Sequence, residues 1–295
     1  MEHLDRVKDH DMGLAQQTVE RLQLGLALAR LRDAANKSQQ EAASAIGRTA
    51  GRISQVENGK GTLNTDELGV LLDFYGVAED ERETVLALGV ASRKRQSRRG
   101  YVDVLPQPFQ RMTDLQVAAE VIDWYECGVI PGLAQSPAYI RALLSSADSI
   151  FWEASERETE ERIQFRLAQQ RRVLRSGQSK TINLVFSEDT LHHLIGGASV
   201  MRGQVLHLLQ LVEENPRLTI QVVPNSVENN PALGGGLVAL EFGEARPVAF
   251  ASVLHGPYTY YDQPGDTEPM RRIFNRVREL AMSPEDTRSL LITTL

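Results

Sequence analysis

The 295-residue sequence has one cysteine and no long apolar run. That cysteine, Cys127, excludes an internal disulfide, is typical of a reducing compartment, and fits a packing role better than a nucleophilic one. No apolar stretch approaches the roughly 18 residues that a membrane-spanning helix needs. The first residues are polar and acidic, unlike a signal peptide. The sequence therefore predicts a cytoplasmic protein without membrane contact.

Side chains with catalytic or metal-binding spacing are also scarce. His192 and His193 are adjacent, so they point to different faces and lack metal-ligand spacing. Gly234–Gly236 does not match a phosphate-binding loop and is typical of an entry to a strand. Glu120 and Asp123 are expected three residues apart on one helix, where solvated or capping roles are favoured over acid–base catalysis. The sequence therefore predicts no enzyme activity, no cofactor and no metal site.

Charge is distributed unevenly along the chain, which has a formal net charge of -7. Residues 21–62 contain seven Lys or Arg against three Asp or Glu, and residues 93–100 contain five basic residues and no acidic one. Local charge matters more than the total, because phosphate attraction is screened beyond about 8 Å at physiological salt. Basic segments of this kind favour a nucleic-acid partner.

Composition and pattern divide the chain into four parts. These are an N-terminal extension (1–20), a helical domain (21–91), a basic linker (92–100) and a C-terminal domain (101–295). The linker is open to two interpretations, a solvated spacer or an arm that touches phosphates.

Two short helices joined by a glycine-bearing turn stand out in the helical domain. Ser38 and Glu41 have the spacing of a capping box at the start of a helix over residues 39–46, and Gly47 closes that helix. A second helix is predicted from Thr49 to Glu57, followed by an exit turn at Asn58-Gly59. Two helices joined in this way form a helix-turn-helix, the second helix of which lies in the major groove of DNA.

The second of these helices is amphipathic. Ile53 and Val56, three residues apart, can pack inward, while Arg52, Ser54 and Gln55 face outward. Three flanking helices are predicted, one ending near Asn36, one from Thr62 to Tyr75 and one from Glu79 to Gly89. The helical domain is thus a bundle of about five helices.

This segment resembles the phage-repressor (Xre/Cro-type) class of DNA-binding domain, in which a Gln-rich helix leads into a recognition helix that ends Glu-Asn-Gly-Lys. The resemblance covers roughly residues 24–76. It implies DNA contacts for Gln39, Thr49, Ala50, Gly51, Arg52, Ser54, Gln55, Asn58 and Lys60. The alternative is a helical bundle that ends in the same four residues without binding DNA.

Within that set the expected roles differ. Arg52 and Gln55 are expected to carry most base readout, because Arg pairs with guanine and Gln with adenine. Gln39, Asn58 and Lys60 match phosphate-contact positions of the class. Ala50 and Gly51 stand where similar repressors often carry polar side chains, so their contacts are absent or limited to a thymine methyl.

Beyond Tyr101 the pattern changes to helices mixed with short strands. Helices are predicted over Met112–Cys127, Pro137–Leu144, Glu153–Arg175 and Val200–Glu214, and after an N-cap at Ser283. Strands are predicted over Thr181–Phe186, Leu218–Val223, Leu237–Phe242 and Pro247–Leu254. The predicted fold class is α+β, an all-α bundle followed by helices around a small sheet.

The clearest local signature of the C-terminal domain is residues 129–135 followed by Tyr139. Its Pro131-Gly132 pair predicts a turn between two helices. The signature resembles a motif of large actinobacterial regulators that pair an Xre-type domain with a C-terminal domain of poorly defined function. That resemblance implies a transcriptional regulator or an antitoxin-like partner of a small protein. Gln169-Gln170 stands where such proteins tend to carry Arg-Gln.

Aromatic residues are candidates for a ligand or partner site in this domain. They are Trp124, Tyr125, Phe151 and Trp152, with core packing as the competing interpretation. Tyr258, Tyr260 and Tyr261 fit a dimer surface, a ligand surface or an edge strand.

The sequence as a whole predicts a sequence-specific transcriptional regulator. A weakly basic domain binds DNA feebly alone, which predicts a homodimer on a near-palindromic operator in double-stranded DNA, with its two DNA-binding domains about 34 Å apart. The C-terminal domain is expected to dimerise and to sense a small-molecule effector or a small protein. The alternative is an antitoxin-like protein that captures a small partner and uses DNA binding for autoregulation. An enzyme fused to a DNA-binding domain is a third hypothesis, which no catalytic constellation supports.

Overall fold

The computed structural model describes residues 17–94, 100–147, 155–175, 180–252 and 258–295. The chain divides into two compact units, one ending at Arg95 and one beginning at Gln96. Two predicted site residues, Phe151 and Trp152, lie outside the described residues, as does most of the basic linker.

The first unit is built from five helices whose starts are set by capping residues. The helices are α1 (Val19–Ala34), α2 (Gln39–Ala45), α3 (Ala50–Glu57), α4 (Thr65–Tyr75) and α5 (Glu79–Arg93). Ser38 and Asn64 each form a capping box, the former with Glu41 as predicted, and Thr18 and Thr49 cap α1 and α3. Each cap stabilises its helix by about 1 kcal/mol, so the local sequence fixes where most of these helices begin.

A leucine-rich core holds the five helices together. Leu24 and Leu28 of α1, Ile53 and Val56 of α3, and Leu72 of α4 are each at most 2% exposed. Burying one such side chain contributes about 1.5–3 kcal/mol. The predicted inward direction of Ile53 and Val56 is confirmed.

Helix α1 crosses the end of α3 at Gly25. A Cβ at this position would overlap the backbone carbonyl oxygens of Val56 and Glu57, so only glycine permits this approach. The contact fixes one side of α3 against α1. The opposite side, which carries Gly51 and Gln55, is exposed.

The second unit is a mixed sheet packed with helices. Its strands are β1 (Tyr101–Val102), β2 (Val121–Glu126), β3 (Thr181–Ser187), β4 (Leu218–Val223), β5 (Leu237–Glu241), β6 (Val248–Ala251) and β7 (Thr259–Tyr261). Its α-helices are α6 (Pro108–Ala118), α7 (Pro137–Ala147), α8 (Glu156–Leu174), α9 (Ala198–Glu214), α10 (Pro264–Leu280) and α11 (Pro284–Thr293). Within the described ranges the strand order is β1-β7-β6-β5-β2-β3-β4. Strands β2, β3 and β4 run parallel, and the other neighbours are antiparallel. The α+β fold class is confirmed.

The interior strand β2 presents its side chains to both layers of helices. Tyr125 lies in an apolar cluster with Phe274 and Val277 of α10. Because side chains alternate along a strand, Trp124 and Glu126 point to the opposite face. A short 3-10 helix at Gly132–Ala134 follows β2 on that face and contacts α8 and α9.

The predicted helix over Met112–Cys127 is wrong. Helix α6 ends at Ala118, and Val121–Glu126 forms β2, so Glu120 and Asp123 do not share a helix. The β-branched and aromatic residues of β2 are buried almost throughout, and a fully buried strand lacks the alternation that separates it from a helix. The Nζ of Lys180 also ends α6, donating to the carbonyls of Gln116 at 2.9 Å and Val117 at 3.0 Å.

Further features of the second unit differ from expectation. Helix α10 and the short strands β1 and β7 were not predicted, and Pro131-Gly132 joins β2 to the 3-10 helix rather than two α-helices. Tyr260 is 0% exposed on β7, which lies between β1 and β6, so neither a surface nor an edge-strand role fits it. The ends of the other predicted elements in this unit differ by at most three residues, and residues 253 and 254 of the predicted last strand lie outside the described residues.

Candidate nucleic-acid interface

Helices α2 and α3 are joined by a tight turn that local hydrogen bonds define. The backbone N–H of Arg48 donates to the Ala43 carbonyl at 2.9 Å, and Gly47 takes the left-handed conformation at φ 63°. The Thr49 hydroxyl then accepts from the Arg52 N–H at 3.3 Å and caps α3. Thr49, predicted as a DNA contact, is therefore also the residue that starts the helix.

Helix α3 ends in a left-handed glycine, as the Asn-Gly-Lys sequence predicts. Gly59 has φ 69°, and its N–H donates to the Val56 carbonyl at 2.9 Å. The N–H of Lys60 donates to the Gln55 carbonyl at 2.8 Å, which completes a common helix-ending motif. Asn58 supports the same turn, because its Nδ2 donates to the Ser54 carbonyl at 2.9 Å.

Glu57 connects the three helices on the buried side of α3. It is 7% exposed. Its carboxylate accepts from Arg32 Nε at 2.6 Å and Nη2 at 3.0 Å, and from Gln39 Nε2 at 2.7 Å. The hydrogen bond to Glu57 raises the pKa of Arg32. Sequence reasoning missed this role, because the arginine partner lies 25 residues away on α1 and no local spacing reveals it.

The predicted contact residues on α3 and its flanks lie on one exposed side. We call this the outer face of α3; its exposed members are Thr49, Gly51, Gln55, Asn58 and Lys60. Ala50, Arg52 and Ser54 are partly exposed, as is Gln39 at the start of α2. The structure thus brings the predicted set together along α3 and its flanks, with Gln39 at the start of α2 hydrogen-bonded to Glu57 of α3.

Arg52 does not project straight from the outer face. Its Nη2 donates to the Thr62 carbonyl at 2.5 Å in the loop between α3 and α4. A Cβ at Gly61 would lie 2.9 Å from Nη1, so the guanidinium lies over a glycine of that loop. A base contact by Arg52 therefore requires the side chain to exchange this carbonyl for the DNA.

Arg48, in the turn, is a basic residue that the sequence interpretation left out. Its side chain is 53% exposed and pairs with Glu67 of α4, with 2.6 Å between Arg48 Nε and Glu67 Oε1. Glu67 is only 14% exposed, but the arginine end of the pair is open to solvent. Solvent screening limits such a pair to about 1 kcal/mol, so Arg48 can exchange its partner for a phosphate at little cost. Its position in a turn beside the outer face is the signal that could have identified it.

The aromatic candidates in the second unit are core residues where the structure describes them. Tyr125 is 0% exposed and its hydroxyl accepts from Asn230 Nδ2 at 3.2 Å. Trp124 is also buried, and its Nε1 donates to Glu126 Oε1 at 2.8 Å. In the described part of the chain no group of His, Cys, Asp and Glu side chains is arranged to hold a metal. No described helix is long and apolar enough to cross a membrane.

Buried glutamines surround the Pro131-Gly132 signature. Gln170 Nε2 donates to the carbonyls of Gly132 and Gln135, both at 2.8 Å. Gln204 Nε2 donates to the Ala134 carbonyl at 2.7 Å, and Gln204 Oε1 accepts from the Ser136 N–H at 2.7 Å. Because buried backbone groups need partners, these amides hold the turn in place. This structural role of the residues is sufficient to account for the signature.

The capped α2–turn–α3 arrangement and its exposed outer face define a helix-turn-helix domain of the kind found in DNA-binding regulators. A family model described as a helix-turn-helix domain matches residues 23–85.

A second family model covers most of the remaining chain. It is described as a domain of unknown function (DUF5753) and matches residues 109–293, which is more than half of the sequence. The chain therefore belongs to the DUF5753 family. No curated protein matches it.

Proposed function

We propose that the chain is a sequence-specific DNA-binding regulator of the phage-repressor type, in which the outer face of α3 enters the major groove. The observation that carries the proposal is this exposed face on a helix whose other side is fixed. Gly25 sets α1 against α3, and Glu57 ties α3 to both α1 and α2. A helix held in this way presents side chains to base edges without first having to be ordered.

Of the two residues proposed to read bases, Gln55 has its side chain exposed, whereas Arg52 is bound to the Thr62 carbonyl. Gln55 lies in the middle of α3. A glutamine amide pairs with both N6 and N7 of adenine, which is worth about 1–3 kcal/mol of discrimination. Arg52 adds a guanine contact once it leaves the Thr62 carbonyl.

Gln39 is the phosphate contact of this proposal, and its hydrogen bond to Glu57 supports that role. An amide nitrogen carries two N–H groups, and Glu57 accepts one of them from Gln39 at 2.7 Å. The second N–H remains for a phosphate oxygen at the start of α2. The buried glutamate therefore supports the DNA contact without touching DNA.

We further propose that two copies bind together on a near-palindromic operator. The DNA-binding unit has only a small excess of basic residues, and each phosphate neutralised contributes a salt-dependent increment to affinity. Two units about 34 Å apart would contact successive major grooves on one side of the duplex. The second unit supplies the pairing and senses an effector.

Selection of DNA from a random pool by the full chain tests this proposal. The expected result is an enriched near-palindrome with half-sites about 10 base pairs apart. Gln55→Ala should relax the preference at one position of each half-site. Gln210→Ala is the matched control, because Gln210 is an exposed glutamine on α9 of the second unit and should leave the motif unchanged. Absence of any enriched motif would overturn the proposal.

A further inference from the structure

A cavity of about 300 Å³ lies between α9, β4 and α11 of the second unit. We call it the β4-edge cavity; its apolar lining includes Leu208, Leu209, Val212, Leu218, Ile220 and Leu291. Two charged residues of the lining, Glu213 and Arg288, pair with each other at 3.5 Å and are both more than half exposed. The third, Glu285, is exposed in the first turn of α11. A volume of this size and an apolar lining suit a small molecule rather than a folded partner.

The backbone of β4 forms part of this cavity, and the strand order of the described residues places β4 at an edge of the sheet. The Ile182 N–H donates to the Arg217 carbonyl at 3.0 Å, which directs the odd-numbered residues of β4 toward β3. Successive residues of a strand direct their N–H and C=O groups to opposite sides. Leu218, Ile220 and Val222 therefore direct theirs away from β3.

The chain itself closes both ends of this open side. The Val222 carbonyl accepts from the Met282 N–H at 2.8 Å, and the Val222 N–H donates to Thr287 Oγ1 at 3.2 Å. At the other end the Leu218 N–H donates to the Asn215 carbonyl at 2.9 Å. Too little of the edge is left for the strand of another protein to pair along it.

The middle residue of the edge, Ile220, is different. It is 3% exposed, and no described residue accepts from its N–H or donates to its C=O. Buried backbone groups need partners, because each loses its hydrogen bond to water on folding. Ile220 lines the cavity together with Thr287, which contacts β4 from the same side. One donor and one acceptor of the backbone thus face an apolar space.

We propose that the β4-edge cavity binds a small apolar molecule built on one amino-acid unit with both ends blocked, such as an N-acyl amino-acid amide. The N–H of that unit donates to the Ile220 C=O, and its C=O accepts from the Ile220 N–H, as two residues pair across an antiparallel sheet. Its side chain and acyl group pack among the leucines of the lining.

The same features disfavour other classes of ligand. A hydrocarbon would leave both Ile220 groups without a hydrogen bond. A free amino acid would bring two charges into an apolar lining, where an unpaired charge is costly to bury. The regulatory consequence of binding rests on the proposed sensing function, whereas binding itself does not.

Thermal melting of the full chain with the N-hexanoyl methylamides of leucine, isoleucine, valine and phenylalanine tests the site. At least one should raise Tm, because a ligand that binds only the folded state stabilises it. The matched control is the ester analogue of that compound, in which oxygen replaces the N–H that Ile220 accepts, and it should give a smaller shift. If none of the four raises Tm, or if the ester acts equally well, the proposal is overturned and water suffices for Ile220.

Heteronuclear NMR of the chain with isotope-labelled isoleucine locates the ligand. The Ile220→Val variant identifies the Ile220 amide signal by its loss. Titration of the parent chain should move this signal more than those of the other isoleucines, because the Ile220 N–H gains an acceptor. Saturable binding that leaves the Ile220 signal unchanged would place the ligand elsewhere and contradict the assignment.

Two variants of α9 test the cavity in a second way. Val212→Trp enlarges a side chain of the lining and should raise Kd at least about tenfold by calorimetry, because the ligand loses its space. Leu206→Trp is the matched control, because Leu206 is exposed on the same helix and does not line the cavity. Val212 is 36% exposed, so a larger side chain there is compatible with folding, which far-UV circular dichroism checks. Unchanged binding by folded Val212→Trp would contradict the proposal.

A DNA measurement separates the site from its regulatory role. Operator affinity is compared with and without the N-acyl amide that binds. A change of at least about fivefold, the lower range for coupling between two sites, supports sensing. Binding of the amide with no change in operator affinity would refute sensing and leave the site standing. Operator binding with no amide binding would refute the site alone.

Discussion

Each of the two units buries a glutamate, and the two glutamates differ in the charge of their hydrogen-bond donors. Glu57 in the first unit is 7% exposed and receives a bidentate arginine and an amide. Glu126 in the second unit is 8% exposed and receives two neutral donors, with Arg166 out of salt-bridge distance. In the first arrangement the carboxylate is paired with a charged side chain of its own unit. In the second, neutral donors are the carboxylate's hydrogen-bond partners among the described residues.

This difference separates a buried carboxylate whose ion pair stabilises the fold from one whose charge is disfavoured by burial. In the first unit the functional side chains are outside, on α3, and the buried polar group holds that helix in place. In the second unit the buried carboxylate is inside, at the end of β2. The same chemical change at the two positions should therefore have opposite consequences for stability.

The largest effect is expected for Glu57→Gln. The change leaves Arg32 without its carboxylate, and breaking a buried ion pair costs about 3–5 kcal/mol. Urea unfolding of the full chain measures this as an early transition of the first unit. Glu81→Gln disturbs a partly exposed pair with Arg30 and should cost no more than about 1 kcal/mol. Equal effects of the two changes would show that Glu57 does not connect the helices.

Two glycines in the same unit should respond in opposite directions. Gly25→Ala places a methyl on the carbonyl oxygens of α3, which cannot yield cheaply, and should destabilise the unit by about 1–3 kcal/mol. Gly51→Ala adds a methyl on the outer face, with only Thr49 Oγ1 at 4.0 Å, and should stabilise α3 by up to about 1 kcal/mol. Thermal melting of each variant measures the change in stability. A Gly25→Ala variant as stable as the parent would contradict the close α1–α3 approach.

An effect on DNA binding alone is expected for Arg52→Ala. Operator affinity should fall by about 1–3 kcal/mol, the range for one bidentate base contact, with a smaller loss on random-sequence DNA. Fluorescence anisotropy on both DNAs measures the ratio. An equal loss on both would mean that Arg52 contacts only phosphate, or that it acts by holding the α3–α4 loop through Thr62.

The smallest effect is a pH-dependent gain in the stability of the folded state in Glu126→Gln. Burial raises the pKa of Glu126 above its ordinary value of 4.5. A raised folded-state pKa gives stability that is complete below the unfolded-state pKa and is lost as the pH rises through the folded-state pKa. The parent should therefore match the variant near about pH 4 and be the less stable of the two near about pH 7. A variant that is less stable at the higher pH would show that the ionised carboxylate is fully paired.

The sequence predicts the first unit well because its signals are local. Ser38 with Glu41 and the Asn58-Gly59 exit each act over a few residues, and both appear in the structure as predicted. Glu57 was missed because its partners are set by packing between helices. The strand β2 was missed for a related reason, because burial on both faces removes the alternation that marks a strand.

The central claim is that the outer face of α3 reads DNA bases, and Gln55→Ala tests it most directly. Binding of the parent and the variant is measured by anisotropy on the selected operator and on random DNA at the same salt concentration. The proposal predicts that operator affinity falls by about 1–3 kcal/mol while random-DNA affinity is unchanged. Unchanged operator affinity, with the variant folded, would contradict the claim that this face reads the sequence.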